Sequence, residues 1–94
     1  MRNEKFEKLG SLNELNAVSA LLFLNENDEP YATDVRIVVS NYDRLKKLME
    51  SLERDGLVDI NIEEYPRIRI TYKLTSKGKE VAQKLLEIEK IMGG

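Results

Sequence analysis

Apolar residues run along the first third of the chain at helical spacing. Leu15, Val18 and Leu22, joined by Ala17, Leu21 and Phe23, predict a helix over about 12–24 that is apolar nearly all round. Ser11-Leu12-Asn13-Glu14 has the form of a capping box at its start, and Asn25 to Pro30 supplies turn formers at its end. A helix with so little polar face is expected to be a central strut, covered by other elements or by a second chain. From Tyr31 to Val39 the β-branched residues Val35, Ile37, Val38 and Val39 favour a strand locally. Thr33 as a cap and the spacing of Val35, Val38 and Val39 favour a short helix, and the helix is preferred.

A third helix starts at Ser40 or Asn41, with Asp43 well placed in its first turn, and runs to about Asp55. Leu45, Leu48, Met49 and Leu52 make one buried stripe along it. Asn41, Tyr42, Arg44, Lys46, Lys47 and Ser51 are left facing away from the core. Gly56 is the stop, where a left-handed residue is required. The period then changes to two. Val58, Ile60 and Ile62 alternate with Asp59 and Asn61, Glu63 to Pro66 turns the chain, and the return strand carries Ile68, Ile70, Tyr72 and Leu74 on one face. Arg67, Arg69, Thr71 and Lys73 take the other face.

Thr75 caps a last helix over about 76–92, where Val81, Leu85, Ile88 and Met92 form a seam. With Leu86 and Ile91 also apolar, this helix has more surface than one small domain covers, which predicts a homodimer. Phe6 and Leu9, in a charged N-terminal arm over 1–10, are the other candidates for packing on a partner subunit. The fold class is therefore α+β, with three helices, a two-stranded hairpin and a closing helix. The domain is expected to span 11–92, with about 75–92 as its dimerisation helix.

Composition narrows the function more than the fold. A chain of 94 residues makes one domain with a small core and no large cleft. It contains neither Cys nor His, so it lacks thiol nucleophiles, zinc knuckles and the usual general base near neutral pH. The carboxylates of Glu63 and Glu64, and those of Glu26, Asp28 and Glu29, lie in turns beside no positioned nucleophile, so they are read as solvating. Neither an enzyme nor a bound metal or cofactor is expected. No apolar run approaches the roughly 18 residues of a membrane span, and no signal-peptide core follows Met1 to Lys5, so a cytoplasmic protein is expected. The net charge of −2 and pI of 5.2 exclude coating of nucleic acid by bulk charge. Abundant Lys and Glu without Cys suit a thermophile.

Two motifs carry a family resemblance. Leu48-Met49-Glu50-Ser51-Leu52-Glu53-Arg54-Asp55-Gly56-Leu57-Val58 resembles the end of the recognition helix in winged helix-turn-helix domains. Tyr72-Lys73-Leu74-Thr75-Ser76-Lys77-Gly78 resembles the entry into their final helix. In style the chain is similar to small bacterial and archaeal transcription regulators of the MarR and PadR kinds. The resemblance implies a homodimer that binds duplex DNA, each third helix in a major groove and each wing along the backbone. It assigns recognition to Asn41, Tyr42, Arg44, Lys46 and Lys47, and backbone contact to Arg67, Arg69 and Lys73. Those residue types suit the task, because Arg and Lys pair with guanine edges and Asn with adenine. Tyr65 and Tyr72 are read as packing residues. Two features depart from the pattern: Val39-Ser40-Asn41 stands where a Gly is usual, and Glu63 and Glu64 make the wing tip acidic. The acidic tip supports a competing reading, a winged-helix module that binds another protein instead of DNA.

Overall fold

The apolar stripe of the third predicted helix is where the core forms. The computed structural model describes residues 7–93, in which Leu45, Leu48, Met49 and Leu52 are all buried on helix α3, Tyr42–Arg54. Before it come α1, Ala17–Glu26, and α2, Ala32–Val35. After it come β1, Val58–Glu63, β2, Arg69–Leu74, and α4, Ser76–Gly93. Phe6, proposed as a dimer contact, lies outside the described residues.

The first helix differs from its prediction. Gly10–Asn13 is a single 3-10 turn, and α1 begins only at Ala17, after Asn16 in the left-handed region at φ 70°. The capping box does not form, because Asp55 takes the amide that opens the turn. Ser11 donates its backbone N–H to Asp55 Oδ2 at 2.8 Å, across 44 residues of sequence. The buried face of α1 is then Ala17, Ala20, Leu21 and Leu24, while Leu15 and Val18 are exposed. The helix is thus buried along one face and not all round.

Ser11 holds the Asp55 carboxyl below its ordinary value. Its hydroxyl faces the carboxylate without reaching hydrogen-bond geometry, its N–H bonds it directly, and Arg54 and Lys77 add positive charge. A lowered folded value means that this contribution is present above the ordinary carboxylate range and is lost as the pH falls through the folded value. The stability difference between the parent and Asp55→Asn is therefore expected to narrow on acidification, as followed by urea unfolding at successive pH values. Asp55→Ala is expected to cost roughly 1 kcal/mol at neutral pH, since it leaves the Ser11 amide without its acceptor.

Helix α2 is short, as predicted, but Thr33 is not its cap. The Asp34 carboxylate accepts the Tyr31 N–H at 3.1 Å and closes the first turn from inside. Asn41 caps α3, its side-chain oxygen accepting from the Arg44 N–H at 3.0 Å. At the other end, Gly56 adopts φ +79°, the Leu57 N–H reaches the Leu52 carbonyl and the Gly56 N–H reaches that of Glu53. This is the paired closure expected of a left-handed helix stop, with Leu52 and Leu57 both buried beneath it.

The hairpin keeps the predicted alternation of faces. Val58 faces Leu74, Ile60 faces Tyr72 and Ile62 faces Ile70, so cross-strand apolar pairs share one face. Asp59 faces Lys73 and Glu63 faces Arg69 on the other, which sets opposite charges across from one another. Tyr31 bridges Thr71, and Tyr72 donates its N–H to the Pro30 carbonyl at 3.1 Å, so the segment before α2 lies along the free edge of β2. Arg67 and Ile68, predicted on the return strand, belong instead to the turn before β2.

Helix α4 is fastened to the turn after α3. The Thr75 hydroxyl accepts the Gly78 N–H at 2.9 Å and donates to the Gly56 carbonyl at 2.5 Å. Lys77 Nζ reaches the Asp55 carbonyl at 2.8 Å, and the Thr75 N–H reaches that of Leu57 at 3.1 Å. Ala82 is buried, with Val81 and Leu85 packed against the core. Further along, Ile88, Ile91 and Met92 are exposed, as is Leu9 near the start of the described chain. The predicted seam is therefore divided, its first half facing this subunit's own core. Among the described residues no helix is long and apolar enough to cross a membrane.

Candidate nucleic-acid interface

Three of the four cations of α3 lie near its start, and the fourth, Arg54, ends it. Arg44, Lys46 and Lys47 are exposed in its first two turns, whereas Glu50 and Glu53 occupy the second half. The leading part of the helix thus presents positive charge in a protein that is acidic as a whole. Asn41 has its side-chain oxygen committed to the cap, which leaves its amide group to face outward. Arg44 is not free either: its Nη2 donates to Asn16 Oδ1 at 2.6 Å and ties the start of α3 to the start of α1. Lys47 makes no ion pair or hydrogen bond among the described residues.

A broad open concavity of about 580 Å³ lies beside that end of α3. Tyr42 forms one wall, Tyr31 and Thr33 at the start of α2 another, and Arg67 and Arg69 the wing side. Neither arginine has an ion pair or hydrogen bond among the described residues. Two unpaired guanidiniums, two tyrosines and a threonine hydroxyl around an open trough are suited to a phosphate chain, because guanidinium pairs with phosphate oxygens through two parallel N–H bonds. The sequence drew attention to Tyr42, Arg67 and Arg69, and the fold brings them together. Tyr31 and Thr33 were missed as lining residues, since nothing local indicates that the segment after Pro30 will lie along β2.

Lys73 does not belong to this group. It sits four residues from Arg69, about 13 Å along the strand, and its Nζ lies 3.8 Å from a Glu29 carboxylate oxygen. Its neighbours are the loop after α1 and Lys79. The alternation that put Arg69 and Lys73 on one face is correct, but distance along the strand separates their surroundings. Tyr72 is buried as predicted, whereas Tyr65, also expected to pack, is 90% exposed at the wing tip. Glu63 and Glu64 are exposed beside it, so the tip is acidic and the concavity at its base is basic.

This arrangement of helices and hairpin is the winged-helix fold, and solved structures of regulators share it. A transcriptional regulator homologue from Pyrococcus horikoshii OT3 superposes with a TM-score of 0.77 at 22% identity, over 97% of this chain and 93% of that one. A MarR protein from Peptoclostridium difficile gives 0.77 at 18% identity, covering 95% of this chain and 57% of that one. FabT from Streptococcus pneumoniae, solved in complex with DNA, gives 0.73 at 16% identity, covering 84% of this chain and 56% of that one. The chain thus spans nearly all of the first and little more than half of the other two. No family model and no curated protein matches the sequence.

Proposed function

We propose that the protein is a DNA-binding transcription regulator of the MarR kind, acting in the cytoplasm as a homodimer and catalysing no reaction. The observation that carries this reading is the basic trough itself, in which the start of α3, Tyr42 and the unpaired Arg67 and Arg69 border one open surface. The likeness to FabT, whose structure includes DNA, supports the same use of the same fold. In this reading α3 enters the major groove, where Asn41, Arg44, Lys46 and Lys47 meet base edges or flanking phosphates. Arg67 and Arg69 hold the backbone, and the acidic tip stays clear of it.

The dimer reading rests on the exposed end of α4, where Ile88, Ile91 and Met92 have no cover within the subunit. A second copy would bury them and set two α3 helices about one turn of DNA apart. Leu9, the other expected contact, is also exposed, but it lies beside Lys77 and Val81 near the start of α4. Light scattering at micromolar concentration is expected to give twice the monomer mass, and a monomer there would remove the dimer.

Titration of the protein into random-sequence duplex, followed by fluorescence anisotropy, tests the DNA reading. Binding is expected at about 50 mM salt and is expected to weaken steeply toward 200 mM. No binding even at low salt would leave the acidic wing tip as the better guide and favour a protein partner.

A further inference from the structure

A second cavity lies on the other side of Tyr42, between α3 and the apolar face of the hairpin. It holds about 190 Å³, below the roughly 300 to 1,000 Å³ of sites that take drug-sized molecules, so it suits a single ring with a short tail. Ile60, Ile62 and Ile70 line it from the hairpin. From α3 it receives Glu50 and Glu53, whose spacing of three places both carboxylates on one side of the helix. Neither makes an ion pair or hydrogen bond among the described residues.

Two carboxylates on a helix are ordinarily a solvated face. What distinguishes these is Tyr72, which lines the same cavity while only 2% exposed. Its hydroxyl has no hydrogen-bond partner among the described residues. The hydroxyl keeps solvent contact at the cavity wall, so it is free to exchange water for a ligand group. Burial, with Tyr42 and Glu50 nearby, pushes this phenol up to about 12, so it keeps its proton and can both donate and accept.

We propose that the cavity between α3 and the hairpin binds a single-ring organic cation of the arylalkylamine class. The ring packs on the isoleucines, the ammonium group donates to Glu50 and Glu53, and the Tyr72 oxygen accepts a further N–H. Tyr42 gives the cation an aromatic face at the mouth. Lys46 also borders the cavity, but one amine against two carboxylates leaves the local charge negative, and a carboxylate ligand would be repelled. The site shares Tyr42 and Lys46 with the proposed DNA-facing surface, but a ligand there requires no nucleic acid.

The test is a titration of the ¹⁵N-labelled full chain with 2-phenylethylamine, 2-phenylethanol and phenylacetate, read by amide chemical shifts. The amine is expected to move the amides of Glu50, Ile62, Ile70 and Tyr72 saturably, with affinity about tenfold above the alcohol, as hydrogen bonds to charged groups warrant. Phenylacetate is expected to move none of them. Glu50→Gln with Glu53→Gln, on an exposed face where folding is not at stake, is expected to abolish the preference for amine over alcohol. Tyr72→Phe is expected to weaken the amine severalfold. Equal affinity for amine and alcohol, shifts scattered outside the cavity, or an undiminished preference in the double Gln variant would each overturn the proposal.

Discussion

Gly78→Ala is expected to destabilise the protein by roughly 3 kcal/mol, lowering the melting temperature by about 12 to 24 °C for a domain of this size. In an ordinary helix interior the same change stabilises by up to about 1 kcal/mol, because Ala loses less backbone entropy. The sign reverses here because a Cβ at Gly78 would fall on the Leu57 carbonyl oxygen, with its carbon and a Leu74 methyl close behind. Backbone cannot move aside as a long side chain can. The Leu57 carbonyl is also held by the Thr75 N–H, and the Gly78 N–H by the Thr75 hydroxyl, so any retreat breaks the cap of α4. Gly93 is the matched control, since a Cβ there meets nothing within 4 Å. Thermal unfolding followed by circular dichroism should show Gly93→Ala within about 1 kcal/mol of the parent. A Gly78→Ala protein that melts alongside it would refute the close approach of α4 to the turn after α3.

That close approach explains why the two family-like motifs were legible. Leu52 to Leu57 and Thr75 to Gly78 are local patterns, a helix stop and a helix cap, and each is set by the conformations that single residues prefer. In the fold they bond to one another. The shared apolar face of the hairpin was legible for a similar reason, because a one-residue slip would carry Ile60, Ile62, Ile70 and Tyr72 off it. The start of α1 was not legible. Ser11 to Glu14 carries a sound local cap signal, and it loses to Asp55, a partner 44 residues away that no local pattern announces. The candidate site divides in the same way. Alternation put Arg69 and Lys73 on one face, but only the packing of residues 29–33 against β2 decides that one borders the trough and the other meets Glu29.

The division of the cations yields a graded expectation for DNA binding. Arg67→Ala with Arg69→Ala removes two unpaired charges from the trough and is expected to weaken binding to any duplex by about 10- to 100-fold. It should also reduce the slope of log affinity against log salt by nearly two, at about 0.9 for each phosphate that is no longer neutralised. Arg44→Ala with Lys47→Ala is expected to weaken binding as strongly on a preferred sequence. Where those side chains meet base edges, the loss on random duplex should be smaller, since base contacts carry the sequence preference. Arg44 carries a further cost, because its bond to Asn16 steadies the start of α3 against α1. Asn16→Ala alone is therefore a useful companion, expected to weaken binding less than the double variant. Lys73→Ala should leave both affinity and salt slope within error, because Glu29 already holds that charge away from the trough. Fluorescence anisotropy across a salt series measures all of these together. Equal losses from Lys73→Ala and from the Arg67 and Arg69 pair would mean that the whole polar face of the hairpin meets the backbone, and that the trough has no special part in it.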